Sequence, residues 1–562
     1  MIFSMRKKRA MSIRRYTIGL DYGSLSCRGV LADTGDGRIL AEVEFPYPHG
    51  VFYDGLPDGT RLPPLWALQH PEDYRAAFLE IIPRLIRDSN VLPEEIVGIC
   101  LDTTASTVVA VDKNLEPLCN LPEMSGEKHA YAKMWKHHAA NPEADELTED
   151  AKNIPALLRY GGRFGAEFML PKVLETLHGA PEVFQKAETF FEYGDWLCSL
   201  LTGHEVRSGT YLTCKSLWTP EDGYPKGGAF DLITGKLAFH GGAEPYIAWP
   251  GESIGTVCPE MAKRLGLSEK TVVSAPQMDG YAGLPGSGIS RDGELAMVLG
   301  TSNSYLLLDR KTEFPSGICA AVPDNIVKGY TGYAAGQASA GDTLRWFIEN
   351  CVPASYESAA KENGMGLHSY LTSLAGKKSP GESGLLALEW LNGNKSVLND
   401  PSLSGAIVGL TLTTKPEDIY RALIEATAFG CRRILSMFAE SGIGIDRIVA
   451  SGGVALKNPM LMQIYSDILE KKIEVSPCRQ AAALGSCIFA AVAAGVYGSV
   501  GDAVRAMAVQ PSLVYSPREK ESLIYDEMYR DYLCLHDNFG IADSALMHRL
   551  NLRKNAYLKK EQ

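Results

Sequence analysis

The sequence lacks the patterns that define several large classes of protein. Its twelve cysteines form no CxxC pair, and the nearest two, Cys478 and Cys487, are nine residues apart, so neither a zinc nor a disulfide framework is indicated. Lys and Arg number 55 against 67 Asp and Glu, a net charge of -12, which argues against the basic face of a nucleic-acid-binding protein. The most apolar segment, residues 481–497, is too short and too rich in Ala and Gly to span a bilayer. A cytoplasmic protein with reduced thiols and neither a membrane nor a nucleic-acid partner is therefore expected.

The sequence also lacks the common nucleotide motifs, a secretory signal and a convincing metal motif. Neither GxxxxGK[ST] nor GxGxxG occurs, so the usual phosphate cradles are absent. Residues 1–14 are basic but have no apolar run, which predicts a flexible extension rather than a signal peptide. His129, His137 and His138 have no carboxylate or cysteine at a ligand spacing, so a metal site there is not favoured. The length of 562 residues allows about two to four domains.

The residues that are present indicate a polar turn between two strands near the start of the chain. Apolar runs predict strands at Tyr16–Leu20, Gly29–Leu31 and Ile39–Val43. The turn between the first two contains Asp21, Ser24, Ser26 and Arg28. A carboxylate, hydroxyls, backbone N–H groups and a guanidinium are the groups that bind a phosphate and its Mg²⁺. An ordinary hairpin with a polar loop is the alternative interpretation.

The second half of the sequence repeats this layout. Residues 294–308 predict two strands around a turn formed by Gly300, Thr301 and Ser302. Each half then has an amphipathic helix, 71–87 or 416–437, followed by a buried strand. Those strands end in polar or glycine-rich turns, where open α/β sheets bind their ligands. Two similar domains that close on one nucleotide are predicted, with a less regular insertion at about 352–405.

Other single residues allow two interpretations each. Lys215 stands alone among apolar residues, which favours a side chain that reaches the surface. Asp279 follows a predicted strand, and it either caps a helix or lies in a site where the two halves join. Gly452 and Gly453 either let a flat ligand such as adenine approach the backbone or form a simple strand-to-helix turn.

This duplicated arrangement resembles the fold of actin, hexokinase and the heat-shock chaperone ATPases. The resemblance rests on Asp21-Tyr22-Gly23 in one half and Gly300-Thr301-Ser302 in the other. Within that group, nearly the whole chain is similar to the FGGY carbohydrate kinases. Four segments more specifically resemble the ribulokinase branch of that family, namely residues 47–50, 133–140, 159–162 and 529–537.

The resemblance implies an α/β protein with two ribonuclease H-like domains, of the actin and hexokinase type, that flank an active-site cleft between them. It places a sugar-binding domain at residues 15–288, a nucleotide-binding domain at 289–545 and a C-terminal tail at 546–562. ATP and Mg²⁺ are the implied cofactors, and a small sugar is the implied partner. Whether the chain forms a homodimer is left open.

The resemblance also assigns roles to individual residues. Asp279 matches the catalytic base, and Asp21 is expected to hold the metal ion. The residues matched to nucleotide binding are Ser24, Ser26, Arg28, Gly300, Thr301, Ser302, Gly452, Gly453 and Asn458. The residues expected to contact the sugar are Ala105, Lys215, Asp279 and Gln337. In the family a glutamate often precedes the sequence AGQ, whereas this chain has Ala334 there, which leaves the preferred sugar open.

The activity that the resemblance implies is ATP-dependent phosphorylation of O5 of L-ribulose, a step of L-arabinose catabolism. Because the fold and the phosphate turns do not select the sugar, a kinase for D-ribulose, xylulose or a polyol is one alternative. A nucleotide-dependent switch of the actin type, without sugar chemistry, is another. Asp279 and the polar turn after Leu101 favour the kinase over the switch.

Overall fold

The computed structural model describes residues 14–237, 246–511 and 513–558. The extension predicted at 1–14 lies outside these residues, apart from Arg14. The described chain forms two large mixed sheets, one from each half, with smaller sheets and helices around them. No helix in the described ranges is both long and apolar enough to cross a membrane.

The elements of the first half end with the helix that begins at Asp279. Its strands are β1 (Tyr16–Tyr22), β2 (Ser26–Asp33), β3 (Ile39–Pro46), β4 (Leu68–Gln69), β5 (Ile96–Thr103), β6 (Val108–Val111), β7 (Ala132–Lys133), β8 (Thr189–Glu192), β9 (Val206–Ser208), β10 (Tyr246–Ala248), β11 (Ser253–Thr256), β12 (Val272–Ser274) and β13 (Gln277–Met278). Its helices are α1 (Pro71–Ser89), α2 (Asn141–Asp150), α3 (Met169–Gly179), α4 (Pro181–Lys186), α5 (Tyr193–Thr202), α6 (Gly209–Thr213), α7 (Ala229–Ile233), α8 (Pro259–Leu265) and α9 (Asp279–Gly286).

The elements of the second half begin at Glu294. Its strands are β14 (Glu294–Leu299), β15 (Asn303–Asp309), β16 (Ala320–Pro323), β17 (Thr331–Gln337), β18 (Leu386–Leu388), β19 (Ala406–Val408), β20 (Arg447–Ser451), β21 (Ile473–Val475) and β22 (Leu513–Tyr515). Its helices are α10 (Gly341–Cys351), α11 (Ala354–Glu362), α12 (Leu367–Ala375), α13 (Pro416–Glu440), α14 (Gly453–Lys457), α15 (Pro459–Leu469), α16 (Ala481–Ala493), α17 (Val500–Met507), α18 (Glu519–Asp537) and α19 (Ser544–Leu558).

The two large sheets share one topology. Neighbouring strands follow the order β11-β12-β5-β1-β2-β3 in the first sheet, with β13 beside β5, and β22-β21-β20-β14-β15-β17-β16 in the second. Each half opens with an antiparallel hairpin, β1–β2 or β14–β15. The first strand of each hairpin also lies parallel to the strand that follows a long helix, β5 after α1 and β20 after α13. The predicted duplication of an α/β domain is therefore confirmed.

Helix α1 illustrates why the long helices form where the sequence predicts them. His70 accepts a hydrogen bond from the N–H of Glu72 at 3.3 Å, and Pro71 occupies the first turn, where its missing N–H costs nothing. One face of α1, including Tyr74 and Phe78, is buried against β2 and β3. The helix ends at Asn90, which has a left-handed conformation with φ of 54°.

The segment around 352–405 is more regular than the sequence predicts, because it contains α11, α12 and β18. Helix α11 buries only Ala360, and α12 buries Leu371 and Ala375. A helix with one or two buried positions has no sustained apolar period, so the sequence gives little sign of it.

Helix α16 packs against the first sheet although it belongs to the second half of the sequence. It contacts β1, β5 and helix α9. A Cβ atom on Gly485 of α16 would lie 1.7 Å from the carbonyl oxygen of Ala282 in α9, so only glycine permits this crossing. The hydroxyl of Thr17 in β1 donates a hydrogen bond to the carbonyl of Cys487 at 3.0 Å. The most apolar segment of the sequence is therefore a buried helix of the fold, and this helix packs one half against the other.

Candidate active site

Three aspartates lie at one edge of the first sheet. In the parallel pair β1–β5, Asp21 is opposite Asp102. In the parallel pair β13–β5, Met278 is opposite Thr103, and Asp279 follows Met278 directly as the first residue of α9. The carboxyl ends of parallel strands meet at this edge, which is where α/β proteins bind ligands.

All three carboxyl groups have a raised pKa, and burial is the largest cause in each case. Burial is the largest cause for Asp102, whose pKa lies well above its usual value, and the charge of Asp21 adds to it. Burial and Asp21 together raise the pKa of Asp279 to about 7, although Gly280 and Lys215 act in the opposite direction. Asp21 itself has a raised pKa from burial, which Arg28 partly offsets. Concentrated negative charge of this kind is favourable for a cation.

The first turn, between β1 and β2, holds the side chains that the sequence assigns to phosphate. The hydroxyl of Ser24 accepts a hydrogen bond from the indole N–H of Trp135 at 2.9 Å. The hydroxyl of Ser26 donates to Glu44 at 2.7 Å. Arg28 is half exposed, and its guanidinium lies 4.0 Å from Asp21 and 3.3 Å from Glu44. Ser26 and Arg28 thus share one carboxylate, while Ser24 is held by an aromatic side chain.

The second turn, between β14 and β15, is fixed by the start of α10. The carbonyl of Gly300 accepts the N–H of Gly341 at 3.0 Å, and the carbonyl of Thr301 accepts the N–H of Ala340 at 2.9 Å. The backbone of the turn is therefore fixed, while Thr301 and Ser302 are exposed. This arrangement leaves their hydroxyl groups accessible at the edge of the second sheet.

The glycine turn after β20 lies beside the second phosphate-type turn. Gly452 has φ of 96°, and a Cβ atom there would lie 2.3 Å from the carbonyl oxygen of Leu299, so the strand-to-helix turn itself requires this glycine. A Cβ atom on Gly453 would meet nothing within 4 Å, which leaves room for a ligand at that residue. Asn458 accepts the N–H of Leu461 at 3.1 Å and caps α15. Its side chain therefore has a structural partner within the chain.

Lys215 lies among charged groups of the first half. It follows α6 in a left-handed conformation with φ of 73°. Its ammonium group lies 5.3 Å from the centre of the Phe168 ring and is close enough to Asp279 and Glu192 to lower the pKa of both carboxyl groups. The partly buried lysine thus faces the carboxylates of the site, whereas its position in the sequence favoured the surface.

The other two residues assigned to the sugar have different surroundings. Ala105 is partly exposed in the turn between β5 and β6. Gln337 is buried, and its amide oxygen accepts hydrogen bonds from Tyr305 at 2.6 Å and Asn303 at 3.1 Å. Its amide nitrogen donates to Glu389 at 3.1 Å and to the carbonyl of Thr427 at 2.9 Å. All of its hydrogen-bonding groups are engaged inside the second half, so a sugar contact at Gln337 stays a prediction.

His129 and His137 belong to a buried charge network, whereas His138 is exposed. The ammonium group of Lys133 donates to Glu175 at 2.6 Å and lies 3.1 Å from His129. His137 lies 2.9 Å from the same carboxylate, and burial lowers the pKa of His137 to about 4. Within the described ranges, no group of three or more His, Cys, Asp and Glu side chains is arranged to hold a metal ion. Mg²⁺ typically needs only one or two carboxylates, with waters and phosphate oxygens as its other ligands.

Sequence analysis missed three residues that surround this site. Lys172 and Glu192 are buried charges in the first half, and Ser486 of α16 donates a hydrogen bond to Asp102 at 2.7 Å. For the two charged residues, the available signal was a lone charge within an apolar segment, as in residues 168–174 and 189–194. At Lys215 the same pattern favoured an exposed side chain. A lone charge in an apolar segment therefore does not show whether the side chain is buried until the fold is known.

The two duplicated sheets, with aspartates at one edge of the first, are those of a two-domain α/β protein with the actin- and hexokinase-like fold. Models of the N-terminal and C-terminal domains of the FGGY family of carbohydrate kinases match residues 16–218 and 295–494. The chain belongs to the FGGY family of carbohydrate kinases, a family that uses ATP.

Curated relatives match the chain over nearly its full length. A protein of Geobacillus thermodenitrificans named ribulokinase is 40% identical over 548 residues, which cover 96% of this chain and 97% of that protein. A ribulokinase of Halalkalibacterium halodurans is 39% identical over 554 residues, covering 96% and 98%. Among solved structures, a xylulose kinase from Rhodospirillum rubrum has a TM-score of 0.77 at 21% identity and covers 95% of this chain and 100% of its own. At that identity the likeness shows the fold alone.

Proposed function

We propose that the protein phosphorylates O5 of L-ribulose with ATP, giving L-ribulose 5-phosphate and ADP. The observation that supports this most directly is Asp279, a partly exposed carboxylate beside Lys215 with a pKa raised to about 7. A general base works best when its pKa is near the working pH. The near full-length similarity to proteins named ribulokinase supports the choice of sugar.

Asp279 is the proposed general base of the transfer. Its carboxylate takes the proton of the sugar O5 hydroxyl as O5 forms a bond to the γ-phosphorus of ATP. The bond between that phosphorus and the bridging oxygen breaks, and the electron pair leaves with ADP. Lys215 is proposed to donate a hydrogen bond to a sugar hydroxyl near Asp279, because its ammonium acts on that carboxylate. Ala105, in the neighbouring turn, bounds the same pocket.

The carboxylates at the edge of the first sheet fit a divalent cation. Asp21 is partly exposed, and one oxygen of the buried Asp102 has no hydrogen-bond partner among the described residues. Mg²⁺ bound by Asp21, with Asp102 behind it, would supply charge neutralisation at the phosphates. Ser24, Ser26 and Arg28 in one turn and Thr301 and Ser302 in the other are proposed to orient phosphate oxygens.

The adenosine is proposed to lie along the open side of Gly453, within the half from 289 to 545, and the sugar within the half from 15 to 288. A positive φ at Gly452 and the open space at Gly453 support this placement. Because the turns at Asp21 and Gly300 belong to different halves, closure of the halves would exclude water from the transfer.

The test is ADP release by the purified protein with a panel of ketopentoses and polyols. L-Ribulose is expected to give the highest kcat/KM of the panel. A clear preference for D-xylulose or glycerol would replace the proposed substrate. ADP release that is independent of every sugar would instead support the nucleotide-dependent switch.

A further inference from the structure

Lys172 of α3 is a fully buried lysine whose partners belong to two different segments of the site. Its ammonium group donates to the carbonyl of Ser106 at 2.6 Å and to the carbonyl of Met134 at 2.8 Å. A third, longer contact of 3.5 Å reaches the carbonyl of Lys133. Charge-assisted hydrogen bonds of this kind are stronger than neutral ones and fix the geometry of their partners. The lysine thus connects the turn before β6 with the segment after β7, next to the point where Val108 pairs with Lys133.

The first partner, Ser106, belongs to the turn that presents Ala105. Ser106 has φ of 60°, an uncommon conformation for a residue with a side chain. Burial raises the pKa of Glu192 to about 7, while the charge of Lys172 and the backbone N–H groups of Thr107 and Ser106 in this turn act in the opposite direction. Lys172 therefore holds a carbonyl of the turn while Glu192 faces its N–H groups.

The second partner, Met134, is connected to the first phosphate-type turn through the next residue in the chain. Trp135 follows it, and its indole N–H donates to the hydroxyl of Ser24 at 2.9 Å. The carbonyl of Ser24 also accepts the side-chain amide of Gln69 at 2.8 Å. Hydrogen bonds from Lys172 to Ser106 and Met134, the peptide bond from Met134 to Trp135 and the hydrogen bond from Trp135 to Ser24 thus connect the Ala105 turn with the phosphate turn.

We propose that Lys172 is a positioning residue that sets the placement of the bound sugar relative to the transferring phosphoryl group. It does this through Ser106 on the sugar side and through Met134 and Trp135 on the phosphate side, and it touches neither substrate. Phosphoryl transfer depends on alignment of the attacking hydroxyl, so a small displacement of either turn lowers the rate. This inference rests on the proposed kinase function, in which Ala105 and Ser24 face the two substrates.

The test compares Lys172→Met with Lys133→Met. Lys133 is an equally buried lysine in the same region, but its ammonium group binds Glu175, Thr176 and the carbonyl of Lys172 and does not contact the Ala105 turn. Both variants are expected to unfold at lower temperature than the wild type. Only Lys172→Met is expected to lower kcat, by about 100-fold for a displacement of about 1 Å, and to release more ADP than sugar phosphate.

A second variant keeps the inference testable where Lys172→Met does not fold. Trp135→Phe removes the indole N–H and part of the aromatic surface from a side chain that is 39% exposed, so the variant is less disruptive than a change in the core. It is expected to lower kcat and the ratio of sugar phosphate to ADP, with sugar affinity near that of the wild type. Because both residues act through one series of contacts, the kcat losses of Lys172→Met and Trp135→Phe are expected to be less than additive in the double variant.

Two results would overturn the inference while leaving the kinase assignment intact. One is a wild-type ratio of sugar phosphate to ADP in both Lys172→Met and Trp135→Phe. The other is an equal loss of kcat in Lys172→Met and Lys133→Met, which would indicate a general effect on the fold. A different result would contradict the proposed function itself: the wild-type protein would release no ADP in response to any ketopentose.

Discussion

The hydroxyl of Ser486 donates a hydrogen bond to the buried carboxyl group of Asp102 at 2.7 Å. Ser486 lies on α16, which comes from the second half of the sequence, and Asp102 ends a strand of the first sheet beside Asp21. The orientation of one carboxyl in the aspartate cluster therefore depends on a helix that is distant in sequence.

Removal of this hydroxyl is predicted to affect both stability and activity. Ser486→Ala leaves the buried Asp102 with one donor fewer, which should lower the free energy of unfolding by about 1–3 kcal/mol and lower kcat. Ser466→Ala is the matched control, because Ser466 is equally buried and donates to the carbonyl of Lys471 at 2.9 Å, outside the cluster. Denaturant unfolding and steady-state kinetics would measure both effects. An unchanged kcat in Ser486→Ala would show that this hydrogen bond serves the fold only.

Asp279→Asn is predicted to separate catalysis from binding. Asparagine keeps the size of the side chain but cannot accept the O5 proton, so kcat should fall about 10²–10⁴-fold. Calorimetry should show sugar binding close to that of the wild type. Retention of most activity would point to another base, and Asp102 would be the next residue to replace. Unfolding of the variant would instead indicate that Asp279 acts mainly at the start of α9.

The activity of the wild type is predicted to rise with pH through about 7. The pKa of Asp279 is raised to about 7 by burial and by Asp21, and only the deprotonated carboxylate can act as the base. In kcat/KM measured against pH, the acidic limb should therefore bend near this value. An acidic limb that bends near pH 4, the ordinary value for aspartate, would contradict the assignment.

The same raised pKa predicts how the stability of the protein without substrates depends on pH. Asp279 binds its proton more tightly in the folded state than in the unfolded chain. Protonated Asp279 therefore contributes to the free energy of unfolding. This contribution is fully present below the unfolded pKa of about 4 and is lost as pH rises through about 7. Asp279→Asn cannot titrate. At about pH 8 it should have a free energy of unfolding about 1–3 kcal/mol above that of the wild type, and the difference should shrink near pH 4. Urea unfolding at both pH values would measure this, and a difference independent of pH would be the opposing result.

Substitutions in the two phosphate-type turns are predicted to lower kcat more than sugar affinity. Arg28→Ala and Thr301→Ala each remove a group proposed to act on the transferring phosphoryl, at a cost of about 2–4 kcal/mol in the transition state. Arg87→Ala is the control, because Arg87 is 69% exposed and lies beside Asp88 on α1. Wild-type kcat in both turn variants would mean that the turns are structural.

Ala334→Glu is predicted to change the order of preference among ketopentoses. Ala334 lies on β17 opposite Ala320 and is partly exposed near the join of the halves. A carboxylate there would add a hydrogen-bond acceptor for sugar hydroxyls, whereas Ala334→Gln adds similar volume without the charge. The kcat/KM values for ribulose and xylulose stereoisomers would measure the change. The same order in all three proteins would show that this position does not contact the sugar.

The features that the sequence could predict are local ones. The turn at Asp21 and its repeat at Gly300 could be predicted because apolar strands on either side of a polar turn form a short-range pattern. The long helices from Pro71 and Pro416 were also predictable, since many buried positions recur along each. The short helices α11 and α12 were not, because they bury few residues.

The buried charges could not be predicted for a different reason. Lys172 is buried, and its ammonium group donates a hydrogen bond to the carbonyl of Ser106, 66 residues away in the sequence. A lone lysine in an apolar segment gives the same local sequence pattern whether its ammonium group is solvated by water or hydrogen-bonded inside the core. The pairing of Ser486 with Asp102 spans 384 residues and has no local sign at all.

The position of α16 has a consequence for how the protein is made. The face of β1 and β5 that α16 covers stays uncovered until residue 493 has left the ribosome. The first sheet therefore cannot complete its core during synthesis of its own half, even though all of its strands are present by Met278. A chain that ends between the two family domains would leave this apolar face exposed, and exposed apolar surface of this kind favours aggregation of an incomplete chain.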